Sequence, residues 1–225
     1  MLTHNKAVDL KTGEELDMLE KHWSYTQDRT PLLPYITKAL TILKEAGFNP
    51  IGVTSPWDFG ITVKDEYHHS ISKVVYDVTG SKNAWFFLRG LRNLPNAKPW
   101  VALEEDGRTL VSIPATTWDR IWQTIDTPRT DDEFIKSAAD MLITEDGKSG
   151  EIIGVLETGG YPILITHWQS PISNGLGTGI KLLDEITRRV NENLSDRVEW
   201  MNFEEIMNLV LSNKDAYPMP KEFNR

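Results

Sequence analysis

The chain contains no cysteine. Disulfides, thiolate metal sites and a cysteine nucleophile are therefore excluded, and redox chemistry gives no guide to compartment. Long apolar runs are absent too: the longest purely apolar stretches are a few residues, where a membrane-spanning helix needs about twenty. Positive charge is scarce, with 24 Lys and Arg against 33 Asp and Glu and a net charge of −9. That balance argues against nucleic acid, whose phosphates call for clustered basic side chains. No internal repeat or low-complexity tract is visible, so one domain over residues 1–225 is the economical reading. The opening segment, MLTHNKAVDLKTGEE, has no apolar core of the signal-peptide kind. An export signal, if the parent protein is secreted, is expected elsewhere.

What the chain does have is tryptophan, eight in all. An indole offers a flat apolar face with a polar edge, which suits packing against a sugar ring as well as filling a core. Helical stripes are also plain. Leu32, Ile36, Leu40 and Leu43 recur at helical spacing before Gly47, and Tyr67, Ile71, Val74, Val75 and Val78 do so before Gly80. Thr12 with Glu15 and Thr130 with Glu133 read as capping boxes opening helices. Ile180, Leu183, Ile186, Val190 and Leu194 mark a long helix, and Asn202 with Glu205 caps a last one. Short β-rich runs lie between: Ile51–Thr54, Ala84–Leu88, Thr109–Ile113, Ile163–Ile165 and Val198–Trp200. Leu2–His4 resembles the tail of a further strand.

Helices alternating with five short strands predict an α/β fold with a parallel sheet, either a (β/α) barrel or an open doubly wound sheet. A barrel needs about seven or eight strands, so an N-terminally truncated barrel whose first strands are missing is the expected form. In such folds ligands meet the residues at the carboxyl ends of the strands. Those ends carry Ser55, Trp57 and Asp58; Thr3 and His4; Thr166, His167 and Trp168; and Met201 and Asn202. The segment YPILITHWQSPISNGLGTG is the most telling, because it delivers a histidine and a tryptophan together at a strand end. Its Gly- and Ser-rich part reads as a rim loop, not as a dinucleotide fingerprint, since the glycine spacing is wrong.

Three stretches, ALTILKEAGFNPIGVTSPWDFG, LITHW and LTHN, make the chain resemble the polysaccharide deacetylases of the barrel-shaped glycoside hydrolase/deacetylase superfamily. The first resembles the family's helix and strand leading into an arginine–x–proline–tryptophan/tyrosine groove motif. The second resembles its late leucine–x–histidine motif, and the third the start of its metal-binding histidine motif. The likeness runs from Leu2 to about Leu211 and is close in residues 48–60 and 161–205. It implies a hydrolase that removes acyl groups from a sugar polymer or oligosaccharide, with a divalent metal such as zinc as cofactor. It further implies His167 as the donor of a proton to the leaving group, His4 as a metal ligand, and Trp57 with Trp168 as walls of the sugar groove. Ser55 and Asn202 join them as substrate-binding candidates, and Asp58 is the rim carboxylate available as a base.

The chain departs from the family where the chemistry is most demanding. The family's early aspartate pair has no counterpart, Lys6, Ala7 and Val8 stand where a second metal-binding histidine would follow, and Thr54 or Ser55 holds the groove arginine's place. A catalytic zinc takes three protein ligands, and His4 is one. A non-catalytic carbohydrate-binding barrel therefore stands as the alternative; a glycosidase, which needs two facing carboxylates, ranks last. Plainer roles stay open residue by residue. His167 could be a satisfied core histidine, His4 a solvated terminal side chain and Asp58 a turn-stabilising residue, and His68 and His69 read as structural or surface residues of a helix.

Overall fold

A computed structural model describes residues 6–55, 58–88 and 94–221. Along the chain it forms β1 (Lys6–Val8), β2 (Glu15–Leu19), α1 (Glu20–Ser24), α2 (Arg29–Glu45), β3 (Gly52–Thr54), α3 (Lys64–Thr79), β4 (Asn83–Leu88), β5 (Trp100–Glu105) and β6 (Arg108–Pro114). The helices α4 (Asp132–Asp140), α5 (Glu151–Glu157), α6 (Gln169–Ile172), α7 (Thr178–Leu194) and α8 (Phe203–Ser212) follow. Two compact units result: Met1–Arg89 with Pro99–Pro114 and Asn202–Arg225, and Gly90–Lys98 with Ala115–Met201. No described helix is long and apolar enough to cross a membrane.

The first unit is built on a four-stranded sheet in the order β3-β4-β6-β5. The strands β3, β4 and β6 run parallel, and β5 pairs antiparallel with β6. Alternation along β4 sends its side chains to opposite faces. Phe86 meets Tyr67 and His68 of α3, while Trp85 and Phe87 meet Phe203 of α8. Gly52 faces Trp85 across the β3–β4 pair, and a Cβ there would lie 2.0 Å from the indole, so only glycine lets the ring lie flat over the strand. The turn between β5 and β6 is Asp106-Gly107, both at left-handed φ (50° and 73°). That is the two-residue type I′ connection whose twist matches the flanking strands.

A separate hairpin, β1–β2, precedes α1. Its turn is made by Asp9, whose side chain accepts from the Lys11 and Thr12 N–H groups, and by Gly13 at φ 76°. The left-handed Gly13 breaks the helix expected from Thr12 and Glu15. Thr12 Oγ1 instead accepts from Glu14 N, and Glu15 opens a strand.

Behind this hairpin Glu20 is almost fully buried and accepts a 2.7 Å hydrogen bond from the Tyr35 hydroxyl. Burial pushes the carboxyl above its ordinary range, and the Tyr35 bond offsets this in part. A raised folded-state value means that folding favours the protonated acid. Its contribution is full below the unfolded carboxyl range and is lost as pH rises through the folded value. Glu20→Gln keeps an acceptor for Tyr35 and sheds the charge. It is expected to raise the urea midpoint at neutral pH, with a gain that shrinks on acidification. A lower midpoint at neutral pH would show that the charged carboxylate is well compensated where it lies.

The second unit is helical. Its core gathers Ile135, Ala138 and Ala139 of α4, Ile152 and Ile153 of α5, and Leu182, Ile186, Val190 and Leu194 of α7. The buried apolar side chains of α7 start at Leu182; Ile180, expected inside, is exposed, and Leu183 is partly buried. Asp131 rather than Thr130 caps α4, accepting from Phe134 N.

The sheet is open, so the expected barrel is not found among the described residues, while the mixed α/β character with parallel strands holds. Two expected strands are not strands, for identifiable reasons. The 161–165 segment finds its backbone partners one residue at a time. Thr116 N donates to the Ile163 carbonyl, Ile163 N to Thr116 Oγ1, and the Thr116 hydroxyl to the Tyr161 carbonyl. One threonine thus does locally what a ladder would do. At 198–200 the chain is drawn back onto α7: Val198 N reaches the Leu194 carbonyl and the Trp200 indole N–H donates to Asn191 Oδ1. Neither Thr166–Trp168 nor Met201–Asn202 therefore stands at the carboxyl end of a strand. The stub Leu2–His4 lies outside the described residues.

Candidate functional site

Of the residues singled out by sequence, Ser55 and Asp58 belong to the first unit with Asn202, and His167 and Trp168 to the second. Trp57 and His4 lie outside the described residues. Ser55 is buried; its hydroxyl lies 2.9 Å from the Tyr67 hydroxyl and its N–H donates to the Phe87 carbonyl, so it ties β3 to the core. Asp58 sits in a turn whose end is closed by Ile61 N donating to its carbonyl. Asn202 caps α8 with its side-chain oxygen on Glu205 N, while Glu205 answers on Asn202 N. These three have structural work in place.

His167 has more. Its Nδ1 lies 2.6 Å from Asp119 Oδ2, and its backbone N donates to the same oxygen at 3.2 Å. The second carboxylate oxygen, Oδ1, accepts from Trp122 N at 3.0 Å. Asp119 therefore fixes both the ring and the main chain of His167. In the neutral imidazole this arrangement puts the proton on Nδ1 and leaves Nε2 as an acceptor; in the imidazolium Nε2 becomes a donor. No other bond to the ring is made among the described residues, and the side chain is 46% exposed against 13% for Asp119. The Trp122 ring stands edge-on to the imidazole with centroids 4.7 Å apart. Trp118, Trp122 and Trp168 all present exposed surface, Trp168 the most at 58%.

The pair is held by a buried frame of hydroxyl groups. Thr124 Oγ1 lies 2.8 Å from the Ile121 carbonyl, 3.1 Å from that of Ser170 and 2.8 Å from Ser173 Oγ. Ser173 Oγ in turn accepts from Gly179 N. Gly179 is required here, since a Cβ would fall 2.0 Å from the Ser170 carbonyl oxygen. Ser173 and Asn174 both adopt left-handed φ (48° and 54°), an uncommon conformation for such residues outside constrained turns. The Gly- and Ser-rich segment expected as a rim loop is thus a set of short helical turns fastened to the segment bearing Asp119.

Asp119, Trp118 and Trp122 were not among the residues singled out by sequence. A signal was present: TTWDRIW follows the strand Thr109–Ile113, and places an aspartate between two tryptophans beyond a parallel strand's carboxyl end. A divalent metal does not fit the residues gathered here. Asp119 already serves three N–H donors, and no group of three or more His, Asp or Glu side chains converges among the described residues.

In the first unit a cavity of about 820 Å³ is lined by Phe59, Tyr67, His68, Phe86, Trp100 and Met219, among others. Burial holds the His68 imidazole down at about 4, so it is neutral over its packed ring contact with Phe86. Comparisons with family models, with curated proteins and with solved structures return no match to this chain.

Proposed function

We propose that the chain is a carbohydrate-active hydrolase that removes acyl groups from a sugar polymer or oligosaccharide, with Asp119–His167 as its proton-transfer pair. The observation that carries this reading is the anchored imidazole among exposed indoles. A surface that only binds sugar has use for Trp118, Trp122 and Trp168, but none for a histidine whose tautomer is fixed by a carboxylate. The leaving alcohol or amine of a deacylation must take up a proton, and a positioned imidazolium Nε2–H supplies one. Asp119 stabilises the charge that His167 carries at that moment. His4, the metal ligand suggested by resemblance, lies outside the described residues, and no step is assigned to a metal.

The exposed indoles alone also suit the second reading, a non-catalytic carbohydrate-binding protein. Acetate release from an acetylated chito-oligosaccharide, measured beside binding by quenching of tryptophan fluorescence, separates the two. Release with binding supports the hydrolase, binding without release the binder, and neither removes both. Covering about 60 Å² of an indole face at about 25 cal/mol/Å² is worth roughly 1.5 kcal/mol, or about tenfold in affinity. Trp168→Ala is therefore expected to weaken binding about tenfold and to change turnover at saturation little. Unaltered binding would take Trp168 out of the groove.

A further inference from the structure

Asp119 can fix the His167 ring only if its own backbone is held, and the segment bearing it has no strand partner at this point. Both residues flanking Asp119 are tied to one side chain, Glu151. The Trp118 N–H donates to Glu151 Oε2 at 2.8 Å, and Arg120 Nε donates to Glu151 Oε1 at 2.5 Å, with Arg120 Nη2 also paired to Oε1. One carboxylate thus grips the chain immediately before and immediately after Asp119. We propose that Glu151 is a positioning residue that sets the tautomer of His167 through Asp119; this rests on the reading of Asp119–His167 as the proton-transfer pair.

The grip comes from a fixed point. Glu151 is the first residue of α5, and its N–H donates to the Met141 carbonyl while Ile152 N donates to that of Leu142. The next two side chains, Ile152 and Ile153, are buried in the core. Gly150, at φ 109°, passes so close to Leu142 that a Cβ would lie 2.5 Å from its carbonyl oxygen. The origin of the Glu151 side chain is therefore set by backbone bonds and by packing. The 2.6 Å bond from Asp119 to the imidazole tolerates little drift, since a site displaced by about 1 Å has lost its productive geometry. Glu151→Ala frees Trp118 N and Arg120 at once. Glu151→Gln keeps an oxygen for one donor and turns an amide NH₂ toward the other, so it should restrain the segment only partly.

The tautomer of His167 can be read without any substrate. In ¹⁵N-labelled full-length chain, long-range ¹H–¹⁵N correlation above the ordinary imidazole titration range distinguishes Nδ1–H from Nε2–H. The chain has five histidines, and the spectrum of His167→Gln identifies the one concerned. The parent is expected to show Nδ1–H, Glu151→Ala to lose that signature as Asp119→Asn does, and Glu151→Gln to retain part of it. Circular dichroism establishes that each variant is folded. Should Glu151→Ala not fold, Glu151→Gln with Arg120→Met, which opens one half of the grip, carries the test. Folded variants with the parent signature overturn the role of Glu151 and leave the pair standing. A parent that shows Nε2–H refutes the Asp119–His167 reading itself, and this inference with it.

Discussion

Replacing His167 by alanine is expected to lower acetate release from an acetylated oligosaccharide by about 10²–10⁴-fold, the range typical of losing a general acid or base. The fold should survive, because the imidazole is half exposed and its bonds run to Asp119 rather than into the apolar core. Substrate binding, measured by tryptophan fluorescence, should change much less than turnover, since the indoles that would cover the sugar remain. Asp119→Asn should cost a comparable factor for a different reason. The amide can present NH₂ to Nδ1 and so favour the tautomer with its proton on Nε2. Because the two residues act as one device, the double variant should be scarcely slower than the worse single one. Full activity in His167→Ala, with normal folding, would end the proton-transfer reading; additive losses would mean that Asp119 acts elsewhere.

Local signals in the sequence were legible where one element settles its own structure. The stripe from Tyr67 to Val78 forms α3, and Gly80 ends it in the left-handed conformation that only glycine adopts without strain. Asn202 and Glu205 make the reciprocal cap they spell. Three of the five expected strands are β3, β4 and β6. The errors came from short apolar runs, whose hydrophobicity says that they are buried but not what pairs with them. Ile163 is buried without a ladder, because Thr116 satisfies its backbone. The missed strand β5 had its signal in the Asp106-Gly107 turn between apolar runs, the strongest short-range mark of a hairpin.

The candidate site was half legible. His167 and Trp168 stand out as chemistry-bearing residues beside an apolar run. Asp119, the partner of His167, is 48 residues earlier, and no spacing rule links the two. What joins them is the hydroxyl frame from Thr124 to Ser170 and Ser173, a set of bonds with no periodicity to read. The strand-end rule singles out His167 from a strand at 163–165 that the fold does not contain.

The largest expected loss of stability follows Arg189→Met in α7. The Arg189 side chain is 1% exposed, yet it is charged. It donates from Nη1 to Asp140 Oδ1 (2.6 Å) and to the Ile143 carbonyl (2.8 Å), and from Nε to Glu185 Oε1 (2.8 Å). Removing one partner of a buried ion pair typically costs about 3–5 kcal/mol, because the other charge is left without compensation. Here the low end applies, about 3 kcal/mol. Asp140 and Glu145 are 52% and 61% exposed and can turn to water, and Glu185 keeps Arg188. The Ile143 carbonyl has no such relief. Acid titration tests the assignment separately. The Arg188 hydrogen bond first, and then that of Arg189, hold the Glu185 carboxyl down at about 2, against the opposing effect of burial. A folded value below the unfolded one means stability that is full above the unfolded carboxyl range and lost as pH falls toward about 2. In Arg189→Met this acid-dependent part should shrink but persist through Arg188, and in the Arg188/Arg189 double variant it should disappear. Urea midpoints across that range give both readouts. A single variant as stable as the parent would show that a methionine packs the site as well as the guanidinium network does.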